Sequence, residues 1–66
     1  MSQPDVIVDN YGSIVGLAPM TQAARDWIEE NVATESWQWL GGVLNVESRY
    51  AADLVVGMQE AELIVQ

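Results

Sequence analysis

Residues 37–46, WQWLGGVLNV, decide the fold, because they are rich in β-forming side chains and lie between two helical patterns. Regular alternation divides the apolar residues between two faces: Trp37, Trp39 and Val43 on one, and Leu40, Leu44 and Val46 on the other. A β-bulge at Gly41-Gly42 instead gathers Trp37, Trp39, Leu44 and Val46 on one buried face. We favour the bulge. Without it, an apolar face stays exposed and is expected to form an interface.

The segment before this strand predicts an amphipathic helix over residues 22–33. Ala24, Ile28 and Val32 recur every fourth residue and form one apolar stripe, with Trp27 beside it. Thr21 is a good N-cap, because its hydroxyl can accept a hydrogen bond from a free N–H group at the helix start.

The segment after it predicts a second helix over about residues 48–60. Tyr50, Leu54 and Met58 recur every fourth residue, with Ala51 and Val55 beside them. The cap is expected at position 47 or 48.

Both ends of the chain read as strands. Residues 6–9 and 13–18 flank an Asn-Tyr-Gly sequence and predict a hairpin, with Val6 and Val8 facing inward. Residues 63–66 read as a last strand. The predicted element order is ββαβαβ in a single small domain, residues 1–66. We expect an α+β two-layer sandwich, a four-stranded mixed sheet with two helices on one face.

The charged residues of the chain exclude several classes of function. The chain has ten carboxylate side chains and two cationic ones, Arg25 and Arg49, which gives a formal net charge of −8. It has no Lys, His or Cys. The usual general bases and nucleophiles are therefore missing, and we expect no enzymatic activity. We also expect no metal, no other cofactor, no membrane association and no direct nucleic-acid binding, since phosphate neutralisation needs cations. No secretory leader is apparent, which favours the cytoplasm.

Three acids on the first helix form the most specific signal. Asp26, Glu29 and Glu30 are spaced i, i+3, i+4, so they are neighbours on the helix surface. The helix gains nothing from them, because Asp26 and Glu30 repel each other and the later part of a helix disfavours anions. A row of carboxylates can resemble the phosphates of a nucleic-acid strand. The alternative is a plain solvated face.

Two further residues extend this candidate site. Glu35 follows the helix, and Trp37 is a possible apolar anchor if it lies at the strand edge rather than in the core. The other acids, among them Asp5, Asp9, Asp53 and Glu60, are interpreted as surface residues that keep the protein in solution. Arg49 is expected to pair with Glu47 or Asp53.

Residues 19–63 resemble a group of short uncharacterised bacterial and prophage proteins. The segments that carry the likeness are TQAARDWIEENV, WQWLGG and VESRYAADLVVGM. In size and acidity the chain also resembles small phage inhibitors, anti-CRISPR proteins among them, several of which block DNA recognition by a Cascade-type complex. That likeness is one of type and not of motif, and it implies a bacterial host cell as the site of action.

These observations predict a non-enzymatic acidic protein that occupies a basic, nucleic-acid-binding surface of a partner protein or complex and inhibits it. The expected contacts are Asp26, Glu29, Glu30, Glu35 and Trp37. The alternative is a structural or regulatory protein–protein interaction module that binds through a hydrophobic, Trp-containing surface. This alternative includes a homodimer that forms through that surface. We expect a monomer, because high net charge opposes self-association.

Overall fold

The computed structural model describes residues 3–66, which form a four-stranded sheet and two α-helices. In chain order the elements are β1 (Val6–Asn10), β2 (Ile14–Pro19), α1 (Gln22–Asn31), a 3₁₀ turn (Ser36–Gln38), β3 (Trp39–Leu40), β4 (Val43–Glu47) and α2 (Ser48–Glu60). The strands lie in the order β1-β2-β4-β3, and all three neighbouring pairs are antiparallel.

Both helices pack on one face of this sheet. Paired residues of antiparallel strands point to the same face, and Leu17 of β2 pairs with both Val8 and Leu44. Each helix adds side chains to the core that forms there. The buried residues of this core are Val6, Val15, Leu17, Ala24, Ile28, Leu44, Val46, Ala51 and Met58. The predicted α+β class with one helical layer is therefore confirmed.

Gly41 and Gly42 form a two-residue turn and not a bulge. Trp39 pairs with Leu44 and Leu40 with Val43, so the chain reverses at the two glycines. Their φ angles are 57° and 79°, in the left-handed region that two-residue hairpin turns require. The prediction of one bulged strand over residues 37–46 is wrong, and the named elements run ββαββα and not ββαβαβ.

This hairpin separates the two tryptophans that the bulge would have placed together. Trp39 is half-buried against the core, and its indole N–H donates to Thr34 Oγ1 at 3.2 Å. Trp37 lies in the 3₁₀ turn and is 74% exposed. The expected buried face therefore includes Trp39, Leu44 and Val46 but not Trp37.

The predicted last strand is reduced to a single parallel bridge between Val65 and Val6. The backbone N–H groups of Asp5 and Val6 donate to the Ile64 carbonyl at 2.8 and 3.0 Å. The sheet is therefore mixed only at its β1 edge, where residues 64–66 occupy hydrogen-bonding groups that an edge strand leaves free.

Asp5 connects three segments of the chain. The Thr21 hydroxyl donates to Asp5 Oδ1 at 2.6 Å and accepts from the Ala24 N–H at 3.2 Å, which confirms Thr21 as the N-cap of α1. The Ile64 N–H donates to Asp5 Oδ2 at 2.8 Å. The interpretation of Asp5 as a mere surface acid is wrong, because its half-buried carboxylate links β1, α1 and the segment that follows α2.

Asp5 is expected to make stability depend on pH. The hydrogen bonds from the Ile64 N–H and the Thr21 hydroxyl favour the ionised form and lower the pKa of Asp5, although desolvation opposes this. The stability that the ionised Asp5 side chain contributes is therefore fully present above the pKa of aspartate in the unfolded chain, about 3.9. This stability is lost as pH falls through the lower pKa of the folded protein. Asp5→Asn should lower the urea midpoint at pH 7, and the difference from wild type should shrink below about pH 4.

Asp9→Asn is the control for this change, because Asp9 is an exposed acid on β1, the strand that begins directly after Asp5. Asp9→Asn removes one negative charge, as Asp5→Asn does, but it leaves the hydrogen bonds of Asp5 in place. Equal urea midpoints for Asp5→Asn and Asp9→Asn at pH 7 would show that Asp5 has no structural role.

The two helices meet where Gly57 of α2 faces Trp27 of α1. A Cβ atom at position 57 would lie 2.9 Å from Cζ2 of the Trp27 ring. Glycine weakens a helix interior, but here the missing side chain lets a half-buried indole lie against the α2 backbone. The sequence patterns gave no reason for a glycine at this position.

The helices are too short for a membrane. Within residues 3–66 none is both long and apolar enough to cross a bilayer. The longest, α2, has 13 residues, whereas a span needs about 20.

Candidate binding surfaces

The outer side of α1 carries three acids. Asp26, Glu29 and Glu30 are exposed, whereas Ala24 and Ile28 of the same helix are buried. We refer to Asp26, Glu29 and Glu30 as the α1 acidic face. The i, i+3, i+4 spacing predicted this grouping, because the buried positions fix which side of the helix faces solvent.

No ion pair within the described residues neutralises the α1 acidic face. Gln22 Nε2 donates to Asp26 Oδ1 at 2.8 Å. Within the described part of the chain, no ion pair involves these three acids; Arg49 Nε pairs instead with Glu47 Oε2 at 3.2 Å. That pairing was one of the two expected for Arg49. The α1 carboxylates are therefore open to cations from outside the protein.

Glu35 follows α1 as expected and directly precedes the 3₁₀ turn, whereas Trp37 lies in that turn and not in the expected strand. The Glu35 N–H donates to Gln38 Oε1 at 2.7 Å, which fixes the start of the turn. Asn45 Nδ2 donates to the Gln38 carbonyl at 3.1 Å and so ties the turn to β4. These bonds hold Trp37 on a fixed backbone with its indole in solvent.

A groove of about 460 Å³ opens beside Trp37. It lies between the end of α1, the 3₁₀ turn and the start of α2. We call it the Trp37 groove, and the lining residues that concern its chemistry are Val32, Trp37, Glu47, Tyr50, Asp53 and Leu54. The α1 acidic face does not line it, so the structure places Trp37 in a different site from Asp26, Glu29 and Glu30.

One side of the Trp37 groove already contacts a guanidinium group. The Arg49 Cζ atom lies 5.0 Å from the centre of the Tyr50 ring, and the same side chain pairs with Glu47. Sequence reasoning placed Tyr50 in the apolar stripe of α2, but Ala51 and Met58 are the buried residues and Tyr50 is exposed. Stripes of this kind identify the side of a helix that is buried but not its margins.

A smaller groove of about 310 Å³ lies on the other side of α1. Glu29 and Arg25 line it together with Ile28 and Trp39. Arg25 and Glu29 do not form an ion pair, although one helical turn separates them. Of the candidate acids, only Glu29 lines one of these two grooves, and it lines the smaller one.

The sheet face away from the helices carries six apolar residues. An antiparallel sheet that is open on one side normally alternates apolar and polar residues. The open side, which we call the outer sheet face, carries the apolar residues Ile7, Tyr11, Ile14, Ala18, Leu40 and Val43 and the polar residues Asp9, Asn45 and Glu47. Gly16 lies at its centre, where a Cβ atom would lie 3.0 Å from Val43 Cγ1 and 3.4 Å from Tyr11 Cε2. Tyr11 and Leu40 are 68% and 66% exposed.

The acids are dispersed over these surfaces. Within residues 3–66, no group of three or more acidic side chains is arranged to hold a metal ion.

Comparisons with protein-family models, curated proteins and solved structures found no significant match for the chain.

Proposed function

We propose that this protein is a non-enzymatic acidic inhibitor that binds a basic, nucleic-acid-binding surface of a partner protein. The observation that carries the proposal is the α1 acidic face, three exposed carboxylates on one helix that form no ion pair within the described residues. Carboxylates held in this way present negative charge at fixed spacing, as phosphates do along a strand.

Electrostatics supports this kind of partner. A net charge of −8 on 66 residues accelerates association with a cationic surface and repels anionic ones. Glu35 and Trp37 lie beyond the end of α1 and supply one more exposed charge and one exposed aromatic ring, with Trp37 in a site separate from the α1 acidic face. Tryptophan is common among the residues that dominate binding energy.

The test uses charge-matched triple variants. In Asp26→Asn/Glu29→Gln/Glu30→Gln the α1 acidic face is neutral, whereas the control Asp9→Asn/Glu60→Gln/Glu62→Gln removes the same charge from other exposed acids. We expect the first variant to bind the partner at least about tenfold more weakly and the control to change affinity far less, because local complementarity exceeds the effect of net charge.

The partner is sought among nucleic-acid-binding proteins from bacteria, first a Cascade-type RNA-guided complex, because of the resemblance to small phage inhibitors. The measurement is displacement of labelled DNA from the partner at low and high salt. Binding should weaken steeply with salt. Equal inhibition by the two triple variants, or capture only of proteins that do not bind nucleic acid, would contradict the proposal.

A second candidate function rests on the outer sheet face. Leu40 and Tyr11 are exposed there among half-buried aliphatic side chains, which is typical of an interaction site. The protein would then be a structural or regulatory module that binds through apolar surface. Leu40→Ser would abolish binding in that case, and high salt would leave the binding of wild type nearly unchanged.

A further inference from the structure

We infer that the Trp37 groove is a receptor for an arginine side chain of the partner protein. This inference rests on the proposed function, because it specifies which chemistry of a basic surface the protein recognises. It adds a second contact site, separate from the α1 acidic face.

The walls of the groove suit the stem of a long cationic side chain. Val32, Trp37, Tyr50 and Leu54 supply apolar and aromatic surface, and the volume of about 460 Å³ is that of a small-ligand cleft. Arginine and lysine bury their methylene stems along such surface and keep the charged head at a polar rim.

The charge of the groove is complementary to a cation. Its lining includes Glu47 and Asp53, and it includes neither Arg25 nor Arg49. Asp53 is exposed and has no ion pair with either arginine. A cation that enters the groove therefore meets two aromatic rings and two carboxylates, of which Glu47 already pairs with Arg49 and Asp53 does not form an ion pair.

Arg49 shows that these residues can bind a guanidinium. Its Cζ lies 5.0 Å from the Tyr50 ring centre, within the range of a cation–π contact, and its Nε is 3.2 Å from Glu47 Oε2. Because an aromatic ring has two faces and Arg49 does not line the groove, the groove side of Tyr50 remains open to a second cation. The flat guanidinium favours arginine over lysine, since it stacks on rings and binds carboxylates with two hydrogen bonds.

The probe is a short Gly/Ser peptide with one arginine, compared with the same peptide carrying citrulline or lysine. Citrulline keeps the shape of arginine and lacks the charge. Binding is followed by NMR chemical shifts of the ¹⁵N-labelled protein, with the Trp37 indole assigned from Trp37→Phe. We expect shifts at the Trp37 indole and at the Tyr50 and Asp53 amides, and binding of the citrulline peptide at least about tenfold more weakly.

Three variants test the roles of the lining residues. Glu47→Gln/Asp53→Asn should weaken binding of the arginine peptide at least about tenfold. The control is Asp9→Asn/Glu60→Gln, which makes the same change in net charge at other exposed acids. Tyr50→Leu should weaken it by about two- to tenfold, whereas Tyr50→Phe should preserve binding, because the ring supplies the contact. Retained far-ultraviolet circular dichroism shows that each variant is folded.

The two arginines of the chain provide a further matched pair. Arg49→Gln frees Glu47 and the outer side of Tyr50, so it should strengthen arginine-peptide binding by about two- to fivefold beyond Arg25→Gln, which makes the same change in net charge elsewhere. Equal effects of the two variants would contradict a role for Glu47 and Tyr50.

The groove assignment is wrong if the arginine and citrulline peptides shift the same resonances equally. It is also wrong if the peptide shifts only the α1 acidic face, in which case the proposed function keeps its own contact surface. If the peptide binds the groove but neither Cascade-type nor other nucleic-acid-binding proteins are inhibited, the groove stands and the proposed function fails. Preferential binding of the lysine peptide would overturn the choice of arginine.

Discussion

Leu44→Ala is expected to leave the protein largely unfolded or close to it. The Leu44 side chain is completely buried on β4, where it contacts the core from the centre of the sheet. Its truncation should cost about 2–5 kcal/mol, from lost burial and the cavity that remains. A chain of 66 residues has a total free energy of unfolding of about 3–10 kcal/mol. The loss from Leu44→Ala is therefore a large share of the total stability.

Leu40→Ala is the matched control, because Leu40 lies in the same hairpin but is 66% exposed. It should change stability by less than about 0.5 kcal/mol. Urea unfolding, followed by circular dichroism, measures both free energies of unfolding. Equal losses in the two variants would mean that the hairpin does not place Leu44 inward and Leu40 outward.

Gly57→Val should be the second most damaging change. Intrinsic helix preference alone predicts a small gain, because valine is a better helix former than glycine. The side chain would, however, begin 2.9 Å from the Trp27 ring and force the two helices apart. Overpacking of this kind costs about 1–3 kcal/mol. A loss of stability in Gly57→Val would therefore indicate the collision with Trp27, whereas a gain would indicate helix preference alone.

The cause is isolated by a double-mutant cycle with Trp27→Ala. Without the indole the collision disappears, and Gly57→Val should then stabilise the helix slightly or have no effect. Ala52→Val, at an exposed position of α2, measures the small cost of valine in this helix. If Gly57→Val costs as much without Trp27 as with it, the proposed collision does not limit packing.

Local patterns predicted the elements better than their connections. The second helix was predicted over about residues 48–60 and found at Ser48–Glu60, and Thr21 caps α1 as expected. These features depend on periodicity and on side chains within one turn. The Gly41-Gly42 turn was missed because β3 has only two residues, too few for alternation to reveal where the strand ends.

Tertiary contacts explain what the sequence could not predict about the binding surfaces. The α1 acidic face follows from helical spacing alone. The Trp37 groove does not, because it needs the 3₁₀ turn to lie opposite the start of α2. Asp5 looked like any other strand-end acid until residue 64, fifty-nine positions later, supplied its partner. Such pairings leave no local signal.

The bridge between Val6 and Val65 also bears on the order in which the fold forms. The two hairpins and both helices join residues close in sequence, so the chain entropy lost in closing them is small. The bridge joins residues 59 positions apart, and its closure gains only a few hydrogen bonds. We therefore expect this edge to form last and to open first. The protein would then spend some of its time with β1 unprotected while its core stays intact.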